Sequence, residues 1–117
     1  MVYMEIKIIK EKITKGELVK TAKESFGEMV KGAVDIERRV IALGGELHID
    51  TNERLIKDGS SQQNIWGINI YPNNPRDEWI EFNSLINIKP ALGNRSADIK
   101  DENVREKIKE IVNELIE

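Results

Sequence analysis

Asparagine is disfavoured in β-strands, yet three asparagines fall where two apolar runs would bring them to one side of a sheet. Residues 64–71 read N-I-W-G-I-N-I-Y, and residues 78–89 read E-W-I-E-F-N-S-L-I-N-I-K. Side chains alternate across a strand. In the first run Trp66, Ile68 and Ile70 therefore share one face, with Ile65, Gly67, Asn69 and Tyr71 on the other. In the second run Ile80, Phe82, Ile86 and Ile88 share a face interrupted by Ser84, and Trp79, Glu81, Asn83, Leu85, Asn87 and Lys89 oppose them. Paired antiparallel, the two runs would assemble Asn69, Asn83, Asn87 and Glu81 beside the rings of Tyr71 and Trp79. Fixed amide donors and acceptors next to aromatic rings suit a small polar molecule or a peptide edge. A solvated face of a one-sided antiparallel sheet accounts for the same residues without a ligand.

Other constellations carry less chemistry. If residues 46–49 extend a strand, Glu46, His48 and Asp50 lie on one side of it, and a histidine with carboxylates can hold a metal. His48 is the only histidine, so the usual two- or three-histidine set cannot form, and a capping pair with a surface histidine competes. Gly93-Asn94-Arg95-Ser96 can make an anion-binding nest beside a helix start, with Gln63 in another loop near the same strand face. A plain loop with Arg95 in an ion pair competes with that reading. The same four residues include an N-glycosylation sequon, irrelevant in an intracellular chain. Arg38-Arg39 can touch nucleic acid, but Asp35 and Glu37 beside them favour a solvated tip. Only His48 and Glu81 qualify as proton carriers for acid–base or hydrolytic chemistry. No nucleophile elbow, phosphate loop or dinucleotide fingerprint accompanies them, so no cofactor is expected.

The bulk properties bound the rest. A chain of 117 residues suits one domain with one core. A net charge of −3 argues against a general polyanion binder. With no cysteine there is no disulfide, thiolate nucleophile or cysteine-bound zinc. Residues 1–7 alternate apolar and charged side chains without a long apolar core, so neither a signal peptide nor a membrane span is expected, and the location expected is cytoplasmic.

These residues need elements to position them. Residues 2–10 alternate as a first strand. Thr14 and Glu17 have the spacing of a capping box, and Leu18, Val19, Ala22 and Phe26 follow at helical spacing up to Gly27. Residues 29–43 are rich in β-branched residues; they fit a hairpin turning at residues 36–38, against one long helix that Gly27 and Gly32 would each cost about 1 kcal/mol. Gly44-Gly45 ends that unit, residues 46–49 extend a strand, and Asp50 with Glu53 caps a short helix through Leu55 and Ile56. The run at 64–71 is expected as the central strand, and the strand at 78–89 ends at Pro90. Val104, Ile108, Ile111, Val112 and Leu115 give a last helix over residues 101–116, capped by Asp101 or Asp98.

Several ordered stretches carry a resemblance: F-G-E-M-V-K-G-A-V-D-I-E-R at 26–38, G-G-E-L-H at 44–48, D-G-S-S-Q-Q-N-I-W-G-I-N-I-Y-P at 58–72, and I-E-F-N-S-L-I-N-I-K-P at 80–90 with G-N-R-S at 93–96. The chain resembles a small prokaryotic family of unknown function. The resemblance implies no activity or catalytic residue. It directs interest to Glu46, His48, Gln63, Trp66, Asn69, Tyr71, Asn94 and Arg95, which fall inside those motifs, and it leaves the opening strand and first helix outside.

The fold expected is α+β: an antiparallel sheet of four to six strands with an N-terminal and a C-terminal helix packed on one face. The function expected is a non-catalytic binding or interaction domain for a small polar molecule, an anion or a peptide. A small acid–base enzyme using His48 and Glu81 and a structural homodimer subunit are the alternatives.

Overall fold

The computed structural model describes residues 4–117; Val2 and Tyr3 of the first expected strand lie outside the described residues. The sheet contains β1 (Ile6–Ile9), β2 (Val30–Asp35), β3 (Val40–Gly44), β4 (Ile65–Ile70) and β5 (Ile80–Glu81). Its order is β1-β3-β2-β4-β5, and every neighbouring pair is antiparallel. The fold is α+β. The β2–β3 hairpin forms as its β-branching requires, with a turn in which the Asp35 carboxylate accepts from the amides of Glu37 and Arg38. The middle strand is β2, so the run expected to be central, β4, lies one place towards the β5 edge.

Three helices cover both faces. α1 (Lys15–Lys23) and α3 (Glu102–Leu115) pack on the face of Trp66, Ile68 and Ile70, where Leu18, Ala22, Ile108, Ile111 and Val112 are buried with them. Each fully buried Leu or Ile contributes roughly 1.5–3 kcal/mol of transfer free energy, so this layer holds both terminal helices to the sheet. Thr14 and Asp101 cap them, each accepting from the backbone amides of the first turn. α1 stops at Lys23, so Phe26 lies beyond it and remains 43% exposed instead of joining the helix stripe.

α2 (His48–Lys57) covers the opposite face, with Leu55 against Ala33, Val40, Ala42 and Ile65. All six β4 residues are therefore buried. α2 also corrects the reading of residues 46–49 as strand. Gly44 and Gly45 take φ of 107° and 77°, a conformation that turns the chain off β3. A Cβ on Gly44 would lie 2.1 Å from the Glu5 carbonyl oxygen, so this turn belongs to glycine. The helix starts at His48 after Leu47, which supplies no side-chain cap, and Asp50 sits inside the first turn instead of capping it.

The long strand expected at 78–89 is the largest departure. Only Ile80–Glu81 forms β5. The Ser84 hydroxyl accepts from the amide of Ile86, a local bond that competes with ladder pairing, and the chain coils through a 3-10 turn at Leu85–Asn87. That segment crosses the face of β4 at Gly67, where an added Cβ would meet Ser84 at 2.6 Å. Trp79, expected on the polar side, instead enters the core beside Phe82. No helix among the described residues is long and apolar enough to cross a membrane.

Candidate functional site

Because α2 and the coiled segment at 81–89 stand apart over the same sheet face, a groove of about 850 Å³ opens between them. Pockets that hold small molecules run to roughly 300–1,000 Å³. Leu47 and Ile49 form one bank and Leu85, Ile86 and Ile88 the other. Leu47, Ile49, Leu85 and Ile88 are each at least 44% exposed, so the banks are apolar and open.

The floor is polar because the sheet register makes it so. Lys31 pairs with Asn69, and Asn69 with Glu81, across β2, β4 and β5. The three side chains form a row on the groove side, and Tyr71 and Asn83 lie in the same lining. Asn69 is 8% exposed. Its amide nitrogen donates to Glu81 Oε1 at 2.7 Å and to the Asn83 carbonyl at 3.4 Å. A carboxylate accepts only, so Glu81 fixes which end of the Asn69 amide faces it. The other end, Oδ1, is buried without a partner. An unsatisfied buried acceptor costs roughly 1–3 kcal/mol; this oxygen is enclosed beneath the floor, so the acceptor that the floor presents is the exposed Glu81 carboxylate.

His48 enters from the first turn of α2. Its Nε2 lies 2.8 Å from the Ile68 carbonyl; a carbonyl cannot donate, so Nε2 carries the proton and neutral His48 keeps a lone pair on Nδ1. Burial pushes its pKa below the ordinary value, more than the Ile68 carbonyl raises it; Lys31 lowers it further, and Asn69 and Glu81 oppose. Tyr71 is shifted upward, by burial first and then by the Glu81 carboxylate.

At the other end of the groove Asn52 and Gln62 exchange two amide hydrogen bonds of 2.8 and 2.9 Å. Lys89, 9% exposed, donates to the Gln62 carbonyl at 2.9 Å and sits 5.3 Å from the centroid of the Trp66 ring. Burial lowers its pKa.

Five residues singled out from the sequence thus meet in one groove: His48, Asn69, Tyr71, Glu81 and Asn83. The others go elsewhere. Asn87 is fully buried and bonds the backbone of Gly67 and Ala97. Asn94 ties residues 87, 96, 98 and 100 together through its side chain. Gln63 lines a separate cavity of about 560 Å³ with Trp66 and Asn94 near the start of α3. Trp79 is stacked under Arg76, 3.9 Å from its ring centroid. Arg95 is exposed and lines neither cavity. Glu46, His48 and Asp50 do not share a strand side, and no group of three His, Asp or Glu among the described residues can hold a metal ion. Arg38 bonds Ser60 and Asp58, and Arg39 pairs with Glu114 and Glu110, which occupies the arginines of the hairpin tip.

Sequence reasoning missed Lys31, Asn52, Gln62 and the groove role of Lys89. Lys31 interrupts the apolar run of β2, a signal visible in V-K-G-A-V. Asn52 and Gln62 carry none, because only the fold of α2 brings them together.

No curated protein and no solved structure matches the chain. A family model matches residues 7–115 and so takes in most of β1 and all of α1, which the resembling motifs had left outside. The chain belongs to the family described as protein of unknown function (DUF5674).

Proposed function

We propose that the protein is a non-catalytic binding domain whose α2 groove takes a small molecule with an apolar body and a hydrogen-bond donor. The observation that carries this reading is a cavity whose apolar banks, Leu47, Ile49, Leu85 and Ile88, stand over a polar floor with the exposed Glu81 carboxylate at one end. The ligand's apolar surface covers Ile49, Leu85 and Ile88, while its donor is taken by the exposed Glu81 carboxylate and not by the enclosed Asn69 oxygen. The test is titration with N-phenyl-naphthylamine, an apolar N–H donor whose fluorescence rises on leaving water. Saturable binding is expected, weakened about tenfold in Glu81→Leu, as for one hydrogen bond of roughly 1.5 kcal/mol to a charged acceptor. Ile49→Glu, which charges a bank, should weaken it further. Binding that does not saturate, or that neither variant changes, refutes the reading.

One observation favours a second reading. His48, with a free Nδ1 lone pair, and Glu81 line the same groove, the arrangement an acid–base pair needs. Turnover of an ester or amide substrate that disappears in His48→Gln would replace binding alone with catalysis.

A further inference from the structure

Lys89 is an uncommon groove residue. Its side chain is more than nine-tenths buried, yet among the described residues no carboxylate pairs with it; its one hydrogen bond goes to a neutral carbonyl. Buried charges are ordinarily paired, because an isolated ammonium loses its hydration without compensation. The Trp66 ring supplies part of that compensation. Among the described residues the only carboxylate lining the groove is Glu81, and it lies at the far end, held by Asn69, with Lys31 across Asn69 from it. From Ile65, where Gln62 and Lys89 gather, to Asn69 is four strand residues, about 13 Å at roughly 3.3 Å each. The groove is thus polarised along β4. A cation that no carboxylate among the described residues pairs with stands beside the Asn52–Gln62 amides at one end, and the Glu81 carboxylate stands at the other.

We infer that the groove ligand is an elongated carboxylate, its anionic end on Lys89 and a donor such as a hydroxyl or ammonium at its opposite end on Glu81. This rests on the groove being a binding site and adds the charge and polarity of its occupant. The apolar middle of such a molecule lies between Ile49 and Ile86, and the carboxylate supplies the partner that Lys89 lacks.

Three probes that differ at one end test it: ω-hydroxydodecanoate, dodecanediol and ω-aminododecanol, each titrated below its micelle-forming concentration. Binding is followed through the backbone amide NMR shifts of Lys31, Asn69 and Lys89. The carboxylate is expected to bind at least about tenfold more tightly than the diol, as for one charge-assisted bond, and the amine no more weakly than the diol but in the reversed direction, its ammonium on Glu81 and its hydroxyl on Lys89. Lys89→Met, which keeps the stem and removes the charge, should erase the advantage of the carboxylate over the diol. Lys89→Arg, which keeps the charge, should restore part of it and serves if the Met variant does not fold. Equal affinities for carboxylate and diol, or an advantage that survives in Lys89→Met, overturn the inference while leaving the groove a binding site. Failure of all three probes to perturb those amides overturns the inference, and N-phenyl-naphthylamine binding then decides separately whether the groove binds at all.

Discussion

Replacing Asn87 by alanine should be among the most damaging single changes in this chain, although Asn87 touches no groove residue through its side chain. β5 pairs with β4 only at Asn69 and Ile70, so the edge of β4 at Gly67 has no strand beside it. The Asn87 amide takes the place of one. Its oxygen accepts from the Gly67 amide at 2.7 Å, and its nitrogen donates to the Gly67 carbonyl at 2.9 Å and the Ala97 carbonyl at 3.1 Å. Asn87 and Gly67 are both buried, so water does not readily substitute. Removing the amide strands both Gly67 backbone groups, at roughly 1–3 kcal/mol each. With the void left behind, the loss should reach about 3–5 kcal/mol, a large share of the roughly 5–15 kcal/mol typical of a domain. Urea unfolding followed by tryptophan fluorescence should show the midpoint falling by about 2 M for a slope near 2 kcal/mol/M. Asn87→Asp sharpens the test, because it keeps the acceptor for Gly67 and sets a carboxylate against two carbonyl oxygens. Its folded-state pKa should lie above the unfolded value of about 3.9, so its penalty is full at neutral pH and fades as pH falls through the folded pKa. An alanine variant within about 1 kcal/mol of the wild type, or an aspartate variant as stable as the wild type at pH 7, would show that the amide is not the edge partner described.

Gly67→Ala should cost about 1–3 kcal/mol by overpacking, since its Cβ would meet Ser84 at 2.6 Å and Ile86 at 2.9 Å; adding Ser84→Gly should recover part of the urea midpoint. His48 gives a pH signature. Its folded pKa lies below the ordinary 6.5, so the unfolded chain takes up the proton first, and stability is retained above about 6.5 and lost as pH falls towards the folded pKa. Urea midpoints at pH 7.5 and 5.5 should therefore differ more in the wild type than in His48→Gln, and equal differences would count against a buried neutral His48.

Much of the fold was legible because it rests on local signals. The cap at Thr14, the β-branched hairpin, the apolar runs of β4 and α3 and the cap at Asp101 each depend on residues a few places apart, and each forms; of the capping box only the Thr14 half does, since the Glu17 carboxylate meets the Thr14 hydroxyl and not its amide. The departures occur where a distant contact outweighs a local pattern. Alternation through residue 89 argued for a strand, but Ser84 bonds its own backbone and Asn87 takes over the edge of β4, so the polar face imagined on one long strand becomes one bank of a groove. The first helical turn of α2 likewise follows from how closely Gly44 approaches Glu5, a contact no window around His48 contains. The sequence by itself determined most of the element types, the apolar side of β4 and the placing of Asn69, Tyr71 and Glu81 together on the other side, because strand periodicity assigns faces without knowledge of neighbours. Only the tertiary structure decided that α2 covers the side of β4 opposite its apolar one, that Asn87 and Asn94 hold backbone instead of ligand, and that among the described residues Lys89 is buried without a counter-ion. Those facts depend on which segments meet across the sheet, and the burial of a charge or an amide is a property of that meeting.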